Sequence, residues 1–100
     1  KPERASVLDG IPQALPALAL ADKVLGKAEK LGLIDASDVP AIPMDDEHAL
    51  GKLLLAIVSS ARAAGLEPER ALREATRELQ VEIRSFELDS DNDAGVIGSY

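Results

Sequence analysis

The sequence predicts an all-α fold, a small bundle of about three helices. Three segments repeat apolar residues at the three- and four-residue spacing of an amphipathic helix. Pro and Gly residues separate these segments and provide start and stop signals. The 100 residues are 46% hydrophobic but include one Tyr, one Phe and no Trp, so aliphatic side chains must form the core. A chain of this length has a marginal core.

The first helix follows a lead of residues 1–14, which is predicted to be extended. Pro16 suits the first turn of a helix, because a helix does not use the backbone N–H that Pro lacks there. Gly32 then provides a stop. The predicted apolar face of this helix consists of Leu18, Ala21, Val24, Leu25, Ala28 and Leu31.

A proline-bearing linker over residues 33–44 precedes the second helix. Asp45 and Asp46 are candidate N-caps, Arg62 suits the negative end of the helix dipole, and Gly65 favours a left-handed stop. These signals place the second helix between the two aspartates and Gly65. Its predicted apolar face consists of Leu50, Leu53, Leu54, Ile57, Val58 and Ala61.

The third helix begins near Pro68 and continues to about Leu88, so that it forms a hairpin with the second. Its predicted apolar face consists of Leu72, Ala75, Leu79, Ile83 and Phe86. Residues 89–100 are acidic and low in hydrophobicity, and we expect a disordered tail there. The predicted helical domain therefore covers residues 15–88.

Charge and composition limit the classes of partner. The net charge of −7 and the pI near 4.6 disfavour nucleic acid and an anionic membrane, since both require clustered Lys or Arg. The longest apolar stretch, residues 53–58, is far too short to span a membrane. The sequence has no Cys, which fits a reducing compartment, and we expect a cytoplasmic protein. The start without Met suggests a C-terminal portion of a longer polypeptide.

Two blocks of sequence resemble, in order, the second half of the MazG-type nucleoside triphosphate pyrophosphohydrolases. In residues 6–18, Ser-Val-Leu-Asp-Gly-Ile-Pro and Leu-Pro-Ala-Leu correspond to the family's Ser-Leu-Leu-Asp-Gly-Val-Pro and Leu-Pro-Ala-Leu. The hairpin resembles the family frame Glu-Glu-Leu-Gly-Asp-Leu-Leu-Phe followed by Gly-Val-Asp-Pro-Glu-Glu-Ala-Leu. The matching positions there are Gly51, Leu53, Leu54, Gly65, Pro68, Glu69, Ala71 and Leu72. The resemblance covers roughly residues 6–87. It implies a parent enzyme that uses Mg²⁺ to convert a nucleoside triphosphate and water into the monophosphate and pyrophosphate.

The chain differs from the family at the positions that bind metal and contact nucleotide. The family binds magnesium with a Glu-x-x-Glu pair and a Glu-x-x-Asp pair, because residues three apart share one helical face and carboxylates suit a hard cation. The second pair falls on Ala49 and Lys52, and a lysine would repel the ion. The linker, with two prolines in four residues, stands where the family places its acidic helix. Positions at which the family commonly contacts nucleotide fall on Thr76 and Glu78.

We therefore expect a non-catalytic assembly or regulatory half of such an enzyme, with no bound Mg²⁺ in this segment. Family members pack helices across subunits, so the resemblance implies that dimerisation completes the bundle. The expected partners are a second copy of the chain or the catalytic half of the parent. Nucleoside triphosphates would be substrates of the parent only.

Two alternatives remain. The chain could be an active metal-dependent hydrolase that uses Asp45, Asp46 and Glu47 as substitute ligands. Consecutive helical residues point about 100° apart, however, which opposes a shared metal unless the first turn frays. The chain could also bind nucleotide without hydrolysing it and thereby regulate the active half.

Overall fold

The fold is all-α, as predicted. A computed structural model describes the backbone of residues 5–98 and the side chains of residues 5–90. Its helices are α1 (Ala17–Leu31), α2 (Glu47–Ala63) and α3 (Pro68–Gly98), with a short 3-10 turn at Ala36–Asp38 between α1 and α2. The residues described contain no β-strand.

The predicted start and stop signals are confirmed at the ends of α1 and α2. Pro16 precedes α1, and Gly32 ends that helix in the left-handed conformation, with φ of 82°. The Asp46 side chain caps α2 by accepting a 2.9 Å hydrogen bond from the backbone N–H of Ala49. Gly65, with φ of 75°, ends the turn that follows α2.

The hydrophobic core lies between α1 and α3. The largest fully buried side chains are Leu20 and Val24 of α1 and Ile83 of α3, and Leu8 and Ala28 join them. These five residues form the buried hydrophobic cluster, which contains no residue of α2. Packing of α1 against α3 therefore supplies most of the burial that stabilises the chain.

The buried faces of both helices are rotated from the predicted ones. Leu18 and Leu25 of α1 are 59% and 43% exposed, whereas Leu20, which is outside the predicted face, is buried. On α3, Ala75 is exposed and the polar Thr76 is buried. Helix α1 is apolar over more than one side, and periodicity alone does not reveal which side meets a neighbour.

The prediction that residues 1–14 form an extended lead is wrong for the part that the structure describes. Residues 6–9 form a turn closed by a 3.0 Å hydrogen bond from the Asp9 N–H to the Ser6 carbonyl. The turn inserts Leu8, which is 3% exposed, into the core. Glu87 of α3 holds this turn by accepting 2.8 Å hydrogen bonds from the Ser6 hydroxyl and the Val7 N–H. Burial of Leu8 and these charge-assisted bonds favour the folded lead.

The first turns of α3 hold the other end of the lead. The Arg73 guanidinium donates hydrogen bonds of 2.9 and 2.7 Å to the backbone carbonyls of Gln13 and Leu15. Glu69 accepts a 2.9 Å bond from the Ala17 N–H at the start of α1, where Pro16 provides no side-chain cap. A carboxylate from α3 thus satisfies a free amide at the positive end of α1.

Helix α3 is longer than the sequence predicts. It continues through Gly98 instead of ending near Leu88, so residues 89–98 are helical where the sequence predicts a disordered tail. The polar run that follows Leu88 contains no Pro, and its first Gly is Gly95. A helix extends cheaply once it has formed, since each added residue gains a backbone hydrogen bond. Residues 99–100 of the predicted tail lie outside the described part.

Helix α2 departs from the predicted hairpin. The chain bends by 107° between α2 and α3, whereas antiparallel neighbours would bend by considerably more. Leu66 N–H bonds to the Ala61 carbonyl at 2.8 Å and Gly65 N–H to the Arg62 carbonyl at 3.1 Å, which is a Schellman ending. Pro68 then restarts the helix before the chain has reversed. As a result α2 projects from the α1–α3 pair. The radius of gyration is 17.1 Å, against about 13 Å for a compact domain of this length.

Within the described residues, no helix taken singly combines the length and apolar character needed to cross a membrane. Helix α2 and the part of α3 up to Ser90 meet those criteria only together, as the bent pair.

Replacing Ile83 with Ala tests the core. The free energy of unfolding should fall by about 2–5 kcal/mol, because the change opens a cavity at a fully buried position. Val81→Ala is the matched control on the same helix, since Val81 is 63% exposed, and it should change stability by less than about 0.5 kcal/mol. Denaturant unfolding followed by circular dichroism measures both, and similar losses in the two variants would contradict this core.

Candidate functional site

The most distinctive surface of the chain is one side of α2. Five apolar residues lie within an arc of about 100° around this helix, and we call them the α2 face: Leu50, Leu54, Ile57, Val58 and Ala61. No residue of α2 is buried. Ile57 is 52% exposed and Val58 is 43% exposed. Contiguous exposed apolar surface of this kind marks an interaction site in soluble proteins.

The α2 face continues into an apolar groove. The groove has a volume of about 540 Å³ and lies between the C-terminal half of α2, the start of α3 and the exposed side of α1. It is lined by Leu18, Leu54, Ile57, Val58, Ala61, Leu66, Pro68, Ala71 and Leu72. No charged side chain lines it, so it suits aliphatic side chains of another helix rather than a phosphate or a metal ion.

The family's magnesium positions do not form a metal site. Ala49 and Lys52 lie on the side of α2 opposite the α2 face, and Lys52 is exposed. In the part of the chain that the structure describes, no group of three or more His, Cys, Asp or Glu residues could hold a metal ion. The residues present therefore do not fit the ion that the resemblance implies.

The substitute ligands proposed from the sequence are not assembled either. Asp45, Asp46 and Glu47 are all exposed at the start of α2. Asp46 is used as the helix cap, with its carboxylate on the Ala49 N–H. The alternative of an active hydrolase therefore has no organised carboxylate cluster to support it.

The linker also directs its carboxylates to its own backbone. The Asp35 carboxylate accepts a 2.8 Å bond from the Ser37 N–H, and the Asp38 carboxylate accepts a 2.8 Å bond from the Asp35 N–H. Hydrogen bonds from the Ser37 hydroxyl and then from its N–H hold the pKa of Asp35 below the ordinary value. These carboxylates close a 3-10 turn.

The two positions that the resemblance assigns to nucleotide contact, Thr76 and Glu78, do not suit that role. Thr76 is 3% exposed between α1 and α3, so it is closed to a ligand. Glu78 is exposed and carries the wrong charge for a phosphate. Neither residue supports nucleotide binding.

A basic cleft that sequence reasoning missed lies on α1. Lys23, Lys27 and Lys30 share one side of that helix and line an open cleft of about 570 Å³ with Asp9 and Asp22. The i, i+4, i+7 spacing of the lysines in the sequence places them on one side of a helix and could have predicted this cleft. The two aspartates offset much of the positive charge, as in an ordinary solvated helix face.

Comparison with known proteins identifies one informative similarity. The chain is 37% identical over 87 residues to a protein of Streptomyces cacaoi described as an uncharacterized 26.1 kDa protein in the blaB 3′ region. The match covers 87% of this chain but only 34% of that relative, so the chain spans about a third of its length. No protein-family model and no solved structure matches the chain. The MazG-type resemblance therefore stays a prediction.

Substitution of Asp46 separates a capping role from a metal-binding role. Asp46→Ala should destabilise the chain or reduce the helicity of α2 at a cost of about 1 kcal/mol, whereas Asp46→Asn should retain most of the cap. Circular dichroism measures both effects. A Mg²⁺-dependent gain in helicity that either substitution abolishes would contradict the capping role and support a metal site.

Proposed function

We propose that this chain is the non-catalytic assembly half of a nucleoside triphosphate pyrophosphohydrolase. The observation that carries this proposal is the uncovered α2 face with its groove. Helix α2 contributes nothing to the buried core, yet along one side it carries five apolar residues, of which Leu50, Ile57 and Val58 are exposed and the other two are half-buried. The apolar side of such a helix is buried by packing against a partner outside the chain. Forming this contact is the function that we propose for α2.

The site chemistry supports assembly rather than catalysis. Family catalysis depends on carboxylates that hold a cation against a triphosphate. Here the two positions of the family's Glu-x-x-Asp pair are occupied by Ala49 and Lys52. The linker aspartates close a turn. The attacking water and the departing pyrophosphate would have no group here to activate or stabilise them. The catalytic residues would lie in another part of the parent.

The Streptomyces similarity is compatible with this division of labour. About two thirds of that relative lies outside the matched region. A segment of that size is long enough to form a separate domain. The proposed assembly half would pack its α2 face at an interface within such a larger protein or between copies of it.

Pyrophosphate release tests the non-catalytic part of the proposal. The purified chain should release no pyrophosphate above background from ribo- and deoxynucleoside triphosphates with Mg²⁺ or Mn²⁺, because the residues that the structure describes contain no assembled ligand set. An active pyrophosphohydrolase assayed in parallel is the positive control. Metal-dependent turnover by the chain, lost in the Asp45→Asn, Asp46→Asn, Glu47→Gln triple variant, would contradict the proposal.

A pair of α2 variants tests the assembly part. Ile57→Asp places a charge on the α2 face, and Ala56→Asp places the same charge on the opposite, exposed side of α2. Ile57→Asp should weaken association at least about a hundredfold, since a carboxylate would be buried in an apolar contact. Association is measured by sedimentation of the chain alone and with the remainder of its parent polypeptide. If neither variant alters any association, α2 is not an assembly surface.

A further inference from the structure

We propose that the occupant of the α2 face is α2 of a second copy of this chain, packed antiparallel about a two-fold axis near Leu54. This inference rests on the proposed assembly role and names its partner. A two-fold contact uses the same surface on both copies, so the surface must be complementary to itself. Helix α2 meets that requirement in its charges and in the spacing of its apolar residues, and the adjoining groove meets it in shape.

The charges of α2 are complementary only in the antiparallel direction. Asp45, Asp46 and Glu47 lie at its N-terminal end, and Arg62 lies in its last turn. Antiparallel packing brings the acidic end of each copy to the Arg62 end of the other and opposes the two helix dipoles. Parallel packing would instead place three carboxylates beside three carboxylates.

The apolar spacing is symmetric about Leu54. Leu50 lies four residues before it and Val58 four residues after it, and all three belong to the α2 face. An antiparallel pair centred on Leu54 therefore sets Leu50 of each copy beside Val58 of the other, with Leu54 beside its own equivalent. The same alignment places Glu47 of one copy next to Arg62 of the other. One register satisfies both the apolar and the charged residues.

The shape of the surface fits the same arrangement. The groove borders the middle and the C-terminal half of α2, where Leu54, Ile57, Val58 and Ala61 line it. The antiparallel partner presents the other half of its helix there, and Leu50 and Leu54 of the second copy would fill the groove. Helix α2 is about 25 Å long, so both half-helices can engage together.

Gly51 adds an independent indication of a close neighbour. Glycine inside a helix costs about 1 kcal/mol relative to alanine. Among the described residues, a Cβ at Gly51 would meet nothing within 4 Å, so no contact with them requires glycine there. In the antiparallel register Gly51 lies near Val58 of the second copy, where a missing side chain lets the two helices approach.

A single cysteine at the axis tests the register. The chain contains no Cys, so Leu54→Cys introduces its only thiol. Under mild oxidation this variant should form a disulfide-linked dimer at least about tenfold faster than a free thiol at micromolar concentration, because the contact raises the effective concentration to the millimolar range. Non-reducing electrophoresis measures the rate. Since Leu54 is outside the buried core, the fold should persist, and circular dichroism verifies it.

Ala56→Cys is the matched control for this experiment. Ala56 is exposed on the opposite side of α2, two residues from the proposed axis, and its variant should cross-link only at the background rate. Equal rates for the two variants would overturn the antiparallel α2 contact.

Charge exchange tests the direction of packing. Arg62→Glu should weaken the dimer about tenfold, because a two-fold contact contains the pair with Glu47 twice and the change converts both to repulsion. Adding Glu47→Arg should restore most of the affinity. Sedimentation equilibrium measures both variants, with helicity checked alongside since both changes oppose the helix dipole. No recovery in a fully helical double variant would overturn the register.

The outcomes separate this inference from the proposed function. A monomeric chain that binds the remainder of its parent through Ile57 would overturn the second copy as occupant but leave the assembly role intact. A monomeric chain that binds neither would overturn both. A dimer whose Leu54→Cys variant cross-links selectively supports both.

Discussion

The structure depends on the packing of α1 against α3. Leu20, Val24 and Ile83 exclude water completely, and the lead closes over them with Leu8. Charged side chains of α3 fix that lead at both ends, through Glu87 on the Ser6 turn and through Arg73 near the start of α1. With this pair formed, α3 and the Schellman turn determine the direction of α2. Helix α2 therefore projects from the core, and much of its apolar side stays uncovered.

Local chemistry made much of the fold predictable. Pro16, Gly32, Asp46, Gly65 and Pro68 act at the ends of helices through their own backbone conformations or short-range hydrogen bonds, and all five work as the sequence indicates. Other features depend on contacts between distant residues. Helix α1 has apolar residues on two sides, and only packing selects Leu20 over Leu18. The bonds that Glu69 accepts from the start of α1 and Glu87 accepts from the lead span more than fifty residues, so no local pattern reveals them.

The candidate site was predictable in part for the same reason. The apolar stripe of α2 is visible in the sequence, but its lack of cover follows from the bend between α2 and α3, which periodicity does not encode. The prediction that Ala49 and Lys52 replace carboxylates of the family follows from the resemblance and needs only the sequence. The diversion of Asp35, Asp38 and Asp46 to backbone hydrogen bonds is visible only in the structure. Together these features support the proposal that α2 serves assembly.

Amide hydrogen exchange along the chain at two concentrations is the most direct test of whether α2 obtains its burial from outside the chain. In a dilute sample, α2 amides should exchange far faster than those of α1 and the first half of α3, because few packing contacts oppose local opening of α2. At concentrations that favour association, protection should rise in α2 and change little in α1. Equal protection of α2 and α1 in a dilute, monomeric sample would contradict the account.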